Sequence, residues 1–206
     1  MMIDNFDRAL ELMKFGENTY YYLQIITRRK DAGNEGLKTS EQQRWSKFIT
    51  SREELIRIKE DVIGMCRLFN ARAYLELNPR CLERFSIKLT KRMLDRIYLR
   101  DFKHISNLRN KIALLDDTIK TRGVTDQRRW TIDVDNLDDL ETIKEWVTER
   151  KINIISELPT PNGTHILIAA FNYKSLGIEL DREFSIKEDV KTTIKSFANS
   201  VLFCDL

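Results

Sequence analysis

Residues 128–136 read Arg-Arg-Trp-Thr-Ile-Asp-Val-Asp-Asn, and residues 160–165 read Thr-Pro-Asn-Gly-Thr-His. The first stretch is a short apolar strand that ends in carboxylates. Residues i and i+2 of a strand point to the same side, so Asp133 and Asp135 share a face. Two carboxylates on one face repel unless a cation sits between them, and Mg²⁺ or Mn²⁺ suits such hard oxygen ligands. The plainer reading is a strand-end turn that favours Asp and Asn. In the second stretch Asn162-Gly163 is a strong hairpin signal. It brings His165 to the start of an apolar strand, where an imidazole beside exposed turn amides suits a phosphate. A surface hairpin with an incidental histidine is the alternative.

Residues 137–150 are predicted to form an amphipathic helix through Leu137, Leu140, Ile143 and Val147. Strands are predicted over 152–158 and 164–171, a helix over 185–197 and a last strand over 200–204. The order from residue 130 is β-α-β-β-α-β, the split ferredoxin-like pattern. Residues 122–129, with Gly123, read as a linker. The chain thus divides into residues 1–125 and 126–206, two parts of one unit, and the fold class is α+β.

The N-terminal part reads as an α/β lobe. A helix is expected over 4–14, with Phe6, Leu10 and Met13 on one face, and a strand over 19–27. That strand runs into Arg28-Arg29-Lys30 and a polar loop over 31–44. Ser51 and Glu54 form a capping-box signature ahead of Leu55, Ile58, Val62, Met65 and Phe69 at helical spacing. Residues 71–78 alternate, with Arg72, Tyr74, Glu76 and Asn78 on one face, and Pro79 is expected to stop the strand. Residues 82–121 read as a long basic helical segment, or a helix pair broken near Ser106-Asn107. Its apolar stripe runs through Leu89, Met93, Ile97, Leu108, Ile112, Leu115 and Ile119. Within 84–111 stand nine Lys/Arg against two Asp, which suits either a phosphate-tracking face or a solvated one. Arginine forks pair with phosphate, so Arg28, Arg29, Lys30, Arg72 and Asn78 are candidate nucleotide or nucleic-acid contacts. Tyr20, Tyr21 and Tyr22 could stack on bases.

Composition narrows the classes. Of 206 residues 42% are hydrophobic, which excludes a disordered chain. Seven Gly and three Pro exclude collagen-like and low-complexity sequence. No apolar run approaches the ~20 residues of a membrane helix, and the acidic, amphipathic start lacks a signal-peptide pattern. Cys66, Cys81 and Cys204 have no metal-type spacing and read as reduced thiols, so a cytoplasmic protein without a membrane partner is expected. Residues 1–130 carry 27 Lys/Arg against 18 Asp/Glu, whereas residues 131–206 carry 8 against 14. A basic part joined to an acidic one suggests one surface for a polyanion and another for cations. No Walker loop, Rossmann glycine pattern or zinc spacing is present.

A carboxylate pair at a strand end, then a helix, then a hairpin bearing a small-residue-x-His element resembles the catalytic core of the archaeo-eukaryotic primase superfamily. The N-terminal stretches YYLQIITRRKD (21–31) and ARAYLELNPR (71–80) resemble short primase-like proteins of bacteriophages. The resemblance covers most of the chain. It implies an RRM-like, primase-type core at 126–206 that acts on nucleoside triphosphates and single-stranded DNA or RNA with Mg²⁺ or Mn²⁺. Asp133 and Asp135 would bind metal, and His165 would contact nucleotide phosphates. Arg129, Thr160, Asn162 and Lys195 would contact nucleotide or strand. A third carboxylate is implied on a later strand; Asp205 is the first choice and Asp181 the second. Nucleotidyl transfer is the expected activity. A non-catalytic nucleotide- or strand-binding protein and a metal-dependent phosphodiesterase or nuclease are the alternatives.

Overall fold

A computed structural model describes residues 2–29, 31, 36, 42–105, 107–115, 118–119, 128–187 and 189–205. The N-terminal part supplies β1 (Met2–Asp4), α1 (Phe6–Leu12), β2 (Thr19–Ile26), β3 (Gln43–Ile49), α2 (Arg52–Arg57), α3 (Lys59–Leu68), β4 (Arg72–Cys81), α4 (Leu82–Tyr98) and α5 (Leu108–Ala113). The C-terminal part supplies β5 (Arg129–Val134), α6 (Leu140–Glu149), β6 (Ile154–Thr160), β7 (Gly163–Ala169), β8 (Glu183–Lys187), β9 (Val190–Lys195) and β10 (Asn199–Asp205). The protein is α+β, with two antiparallel five-stranded sheets ordered β1-β10-β4-β2-β3 and β6-β7-β5-β9-β8.

Local chemistry explains the element boundaries. The Ser51 hydroxyl accepts the Glu54 amide at 3.1 Å and caps α2, and the Glu54 carboxylate accepts the Thr50 amide at 2.9 Å. The helix predicted through Leu55 and Phe69 divides at Ile58 into α2 and α3. Pro79 does not end β4. The β2–β4 register shifts between Tyr20, opposite Arg80, and Tyr22, opposite Glu76. Pro79 therefore lies in an irregular stretch where a missing N–H costs no regular ladder bond. The basic segment is two helices, α4 and α5, with a short 3₁₀ turn at 102–104 between them. Of α4 only Phe85 is buried; Met93 and Ile97 of the expected apolar stripe are exposed.

The second sheet realises the predicted β-α-β-β order, since α6 crosses from β5 to β6 and the tight turn joins Thr160 to Gly163. The helix predicted over 185–197 is instead the β8–β9 hairpin. Val190 and Ile194 stand four apart, a spacing that a strand and a helix both satisfy, and Thr192, Thr193 and Ile194 are β-branched residues that favour the strand. The last strand forms as predicted but pairs with β4 and β1 of the first sheet, so residues 199–205 belong to the sheet built by residues 2–81.

That return joins the two sheets in one core. Tyr21, Leu23, Ile25, Leu55, Val62, Leu75 and Phe203 pack with Leu158 and Leu167 of the second sheet. On the second sheet's other face Ile132, Ile166 and Ile194 bury against Ile143, Trp146 and Val147. The first sheet's other face is covered by α4 and α5 through Tyr20, Tyr22, Phe85, Leu108 and Ile112.

Candidate functional site

The face of the second sheet that is turned toward the first carries a polar row beside Leu158 and Leu167. Asp133 on β5 stands opposite His165 on β7 and Thr193 on β9. Directly opposed antiparallel residues project to one side, so strand alternation that buries Ile132 and Val134 against α6 turns Asp133 toward the first sheet. Asp133 Oδ1 lies 3.4 Å from His165 Nε2, and His165 Nδ1 lies 3.3 Å from Ser200 Oγ on β10. This row floors a cleft of about 490 Å³ lined by Asp133, Asp135, Thr160, Asn162 and His165, and walled from the first sheet by Arg28, Arg72, Tyr74 and Val201. A smaller pocket of about 200 Å³ adjoins it; Asp133 and Asp135 also line that one, with Asp139 and Glu183.

The electrostatics suit an ionised carboxylate. The His165 imidazole holds the Asp133 carboxyl below the ordinary carboxylate range, against the raising effect of burial, with Lys195 and Arg28 adding to the depression. Lys195 sits opposite Thr131, on the same face as Asp133. Burial raises the Tyr74 phenol, opposed by the charge of Arg28, which also hydrogen-bonds it.

The hairpin fixes the floor. A Cβ on Gly163 would meet Val134 O at 1.9 Å and Asp135 Cα at 3.1 Å. Only a glycine lets the β6–β7 turn lie against the end of the strand that presents both carboxylates.

Several predicted contacts belong to the fold instead. Asn78 is fully buried; its amide donates to Glu76 Oε1 and Arg129 O, both at 3.0 Å, and it accepts the Arg129 amide at 2.8 Å. Arg129 donates to Leu77 O at 3.0 Å and Leu12 O at 2.9 Å, and burial lowers its pKa. Both stitch β5 to the first sheet rather than face a ligand. Arg72 reaches the cleft wall, yet its guanidinium forms a buried fork with Asp31, Nε to Oδ2 at 2.9 Å and Nη2 to Oδ1. Arg29 is exposed and does not line the cleft, and Lys30 lies outside the described residues. The three tyrosines are fully buried, with Tyr20 donating to Ala113 O, Tyr21 donating to Lys14 O and Tyr22 accepting from Gln43 Nε2. None is free to stack on a base.

The third carboxylate does not arrive. Asp205 closes β10 opposite Met2 and pairs with Arg67 at 2.8 Å. Ser200 at the other end of β10 reaches the site, and five residues of strand carry Asp205 about 16 Å beyond it. Asp181 accepts the Ser196 amide at 3.0 Å from a left-handed turn position, φ 62°, and does not line the cleft. Among the described residues no group of three or more His, Cys, Asp or Glu is placed to hold a metal ion. A magnesium-like ion typically takes one or two carboxylates and completes its shell with water and phosphate oxygens. Asp133 and Asp135 are the two carboxylate residues that line this cleft.

Sequence reading found Asp133, Asp135, Thr160, Asn162, His165 and Arg28, and missed Tyr74, Val201 and Ser200 as site residues. The last two come from a strand expected to join the other sheet, so no local motif marks them. No family model matches the chain, and neither the curated proteins nor the solved structures contain a match. No helix among the described residues is long and apolar enough to cross a membrane.

Proposed function

We propose that this protein is a primase-polymerase-like nucleotidyltransferase whose cleft takes the phosphates of a nucleoside triphosphate together with one divalent cation. The observation that carries the reading is the Asp133–His165 pair, 3.4 Å apart across neighbouring strands at the floor of a cleft that Arg28 overhangs. The strand order β6-β7-β5-β9, with one crossover helix, supports the resemblance to an RRM-like core. Asp133 and Asp135 would hold the cation. Arg28, Thr160 and Asn162 surround the space where phosphate oxygens would lie, and guanidinium groups favour such oxygens. Bound there, Mg²⁺ or Mn²⁺ would offset the negative charge that builds when a hydroxyl approaches a phosphate.

A second reading is favoured by the Asp205–Arg67 ion pair, which leaves the acidic set short of the two-ion complement. In that reading the cleft binds a nucleotide or a single strand without turnover. Incorporation of a labelled nucleoside triphosphate into a primer on a template, with Mg²⁺ or Mn²⁺, separates the two. The first reading expects incorporation by the wild type and background counts for the Asp133→Asn/Asp135→Asn double variant. Binding without incorporation assigns the second reading, and equal incorporation by both proteins overturns the first.

A further inference from the structure

The imidazole of His165 has a partner at each nitrogen, and the partners come from different sheets. Nε2 faces Asp133 Oδ1 on β5, and Nδ1 faces Ser200 Oγ on β10. A neutral imidazole carries one N–H and one lone pair. An ionised carboxylate can only accept, so the nitrogen turned toward Asp133 carries the hydrogen. Nδ1 is then an acceptor, and the Ser200 hydroxyl is the donor beside it. The Ser-His-Asp order does not make Ser200 a nucleophile: the residue is 2% exposed and does not line the cleft, so no substrate meets its oxygen.

We propose that Ser200 is a positioning residue that fixes His165 in its Nε2–H form, and that the ring so held steadies Asp133 rather than binding phosphate. Neither ring nitrogen is spare in this arrangement. Phosphate contact falls to Arg28, Thr160 and Asn162, which departs from the role that the primase resemblance gives His165. The consequence for ligand binding rests on the nucleotide reading above; the state of the ring does not.

Long-range ¹H–¹⁵N correlation on the full chain tests the ring directly. Only two histidines are present, so a His104→Gln background assigns the signals. At about pH 8 the wild type is expected to show the Nε2–H tautomer, with the Nδ1 lone pair facing the Ser200 hydroxyl. Ser200→Ala should give a tautomer mixture, and Ser200→Thr, which keeps the hydroxyl, should restore the wild-type pattern. An Nδ1–H ring or a doubly protonated ring in the wild type overturns the proposal, as does a Ser200→Ala spectrum identical to the wild type. The wild-type spectrum decides even if Ser200→Ala fails to fold. Removing a hydrogen bond behind a ligating group also weakens its site, so Mg²⁺-ATP affinity should fall on the order of tenfold in Ser200→Ala and recover in Ser200→Thr. A wild type that holds the Nε2–H ring yet binds no Mg²⁺-ATP keeps the ring assignment and removes the nucleotide reading.

Discussion

Arg129 stands one residue before the apolar stretch that ends in Asp133 and Asp135, and its guanidinium is committed to two main-chain carbonyls of the N-terminal part. Arg129→Ala should therefore lower unfolding free energy by about 2–4 kcal/mol, because it strands buried acceptors and opens a cavity. Urea denaturation measures that loss, and a surface residue would show less than about 0.5 kcal/mol. Asp133 gives a second prediction. Its folded-state carboxyl titrates below its unfolded value, first through the His165 contact. The stability it contributes is present above the unfolded pKa of about 4 and is lost as pH falls through the lower folded value. The stability difference between wild type and Asp133→Asn should shrink as pH drops below about 4; a difference constant across that range contradicts the assignment. At this scale Asp133 and His165 were legible, because strand alternation and a two-residue turn are local signals. The occupation of Arg72 was not, since its partner Asp31 lies 41 residues away and nothing local couples them.

At the scale of elements, the β6–β7 hairpin and the end of β5 act as one piece. Gly163→Ala puts a methyl against the Val134 carbonyl, backbone that cannot swing aside as a flexible side chain would. The variant should lose about 1–3 kcal/mol of stability. It should also lose divalent-dependent nucleotide affinity, because the turn must move off the strand that carries Asp135. Calorimetric melting with a parallel binding titration checks both, and a stable Gly163→Ala with wild-type affinity argues against the coupling. Elements set by turns and caps were legible: α2 begins at its Ser51 cap, and the hairpin turns at Asn162-Gly163. Residues 185–197 were not, because an apolar spacing of four is shared by a helix and an alternating strand. The exposed side of α4 has the same origin. Helical periodicity shows which residues share a face, yet Met93 and Ile97 share one that the sheet does not reach.

Across the whole molecule, the charge imbalance and the topology meet in one place. The basic N-terminal part contributes Arg28 and Arg72 to the cleft, and the acidic C-terminal part contributes Asp133 and Asp135. The sequence suggested separate surfaces for anions and cations; the fold brings both signs to a single cleft, as a phosphate with its cation would require. What brings them together is the crossing from β9 of the second sheet to β10, which enters the first sheet between β1 and β4 and carries Ser200 to the imidazole. The α+β class and the β-α-β-β order were readable from local patterns. The return of the last strand was not, because strand pairing between residues 73–76 and 199–203 is a long-range choice made by burial rather than by motif. Isothermal titration of Mg²⁺-ATP into the wild type and into Asp133→Asn/Asp135→Asn decides whether the cleft takes a nucleotide with its cation. Saturable binding that requires the divalent ion and weakens at least about tenfold in the double variant is expected. Equal affinity of the two proteins, or heat that does not depend on the ion, would contradict it.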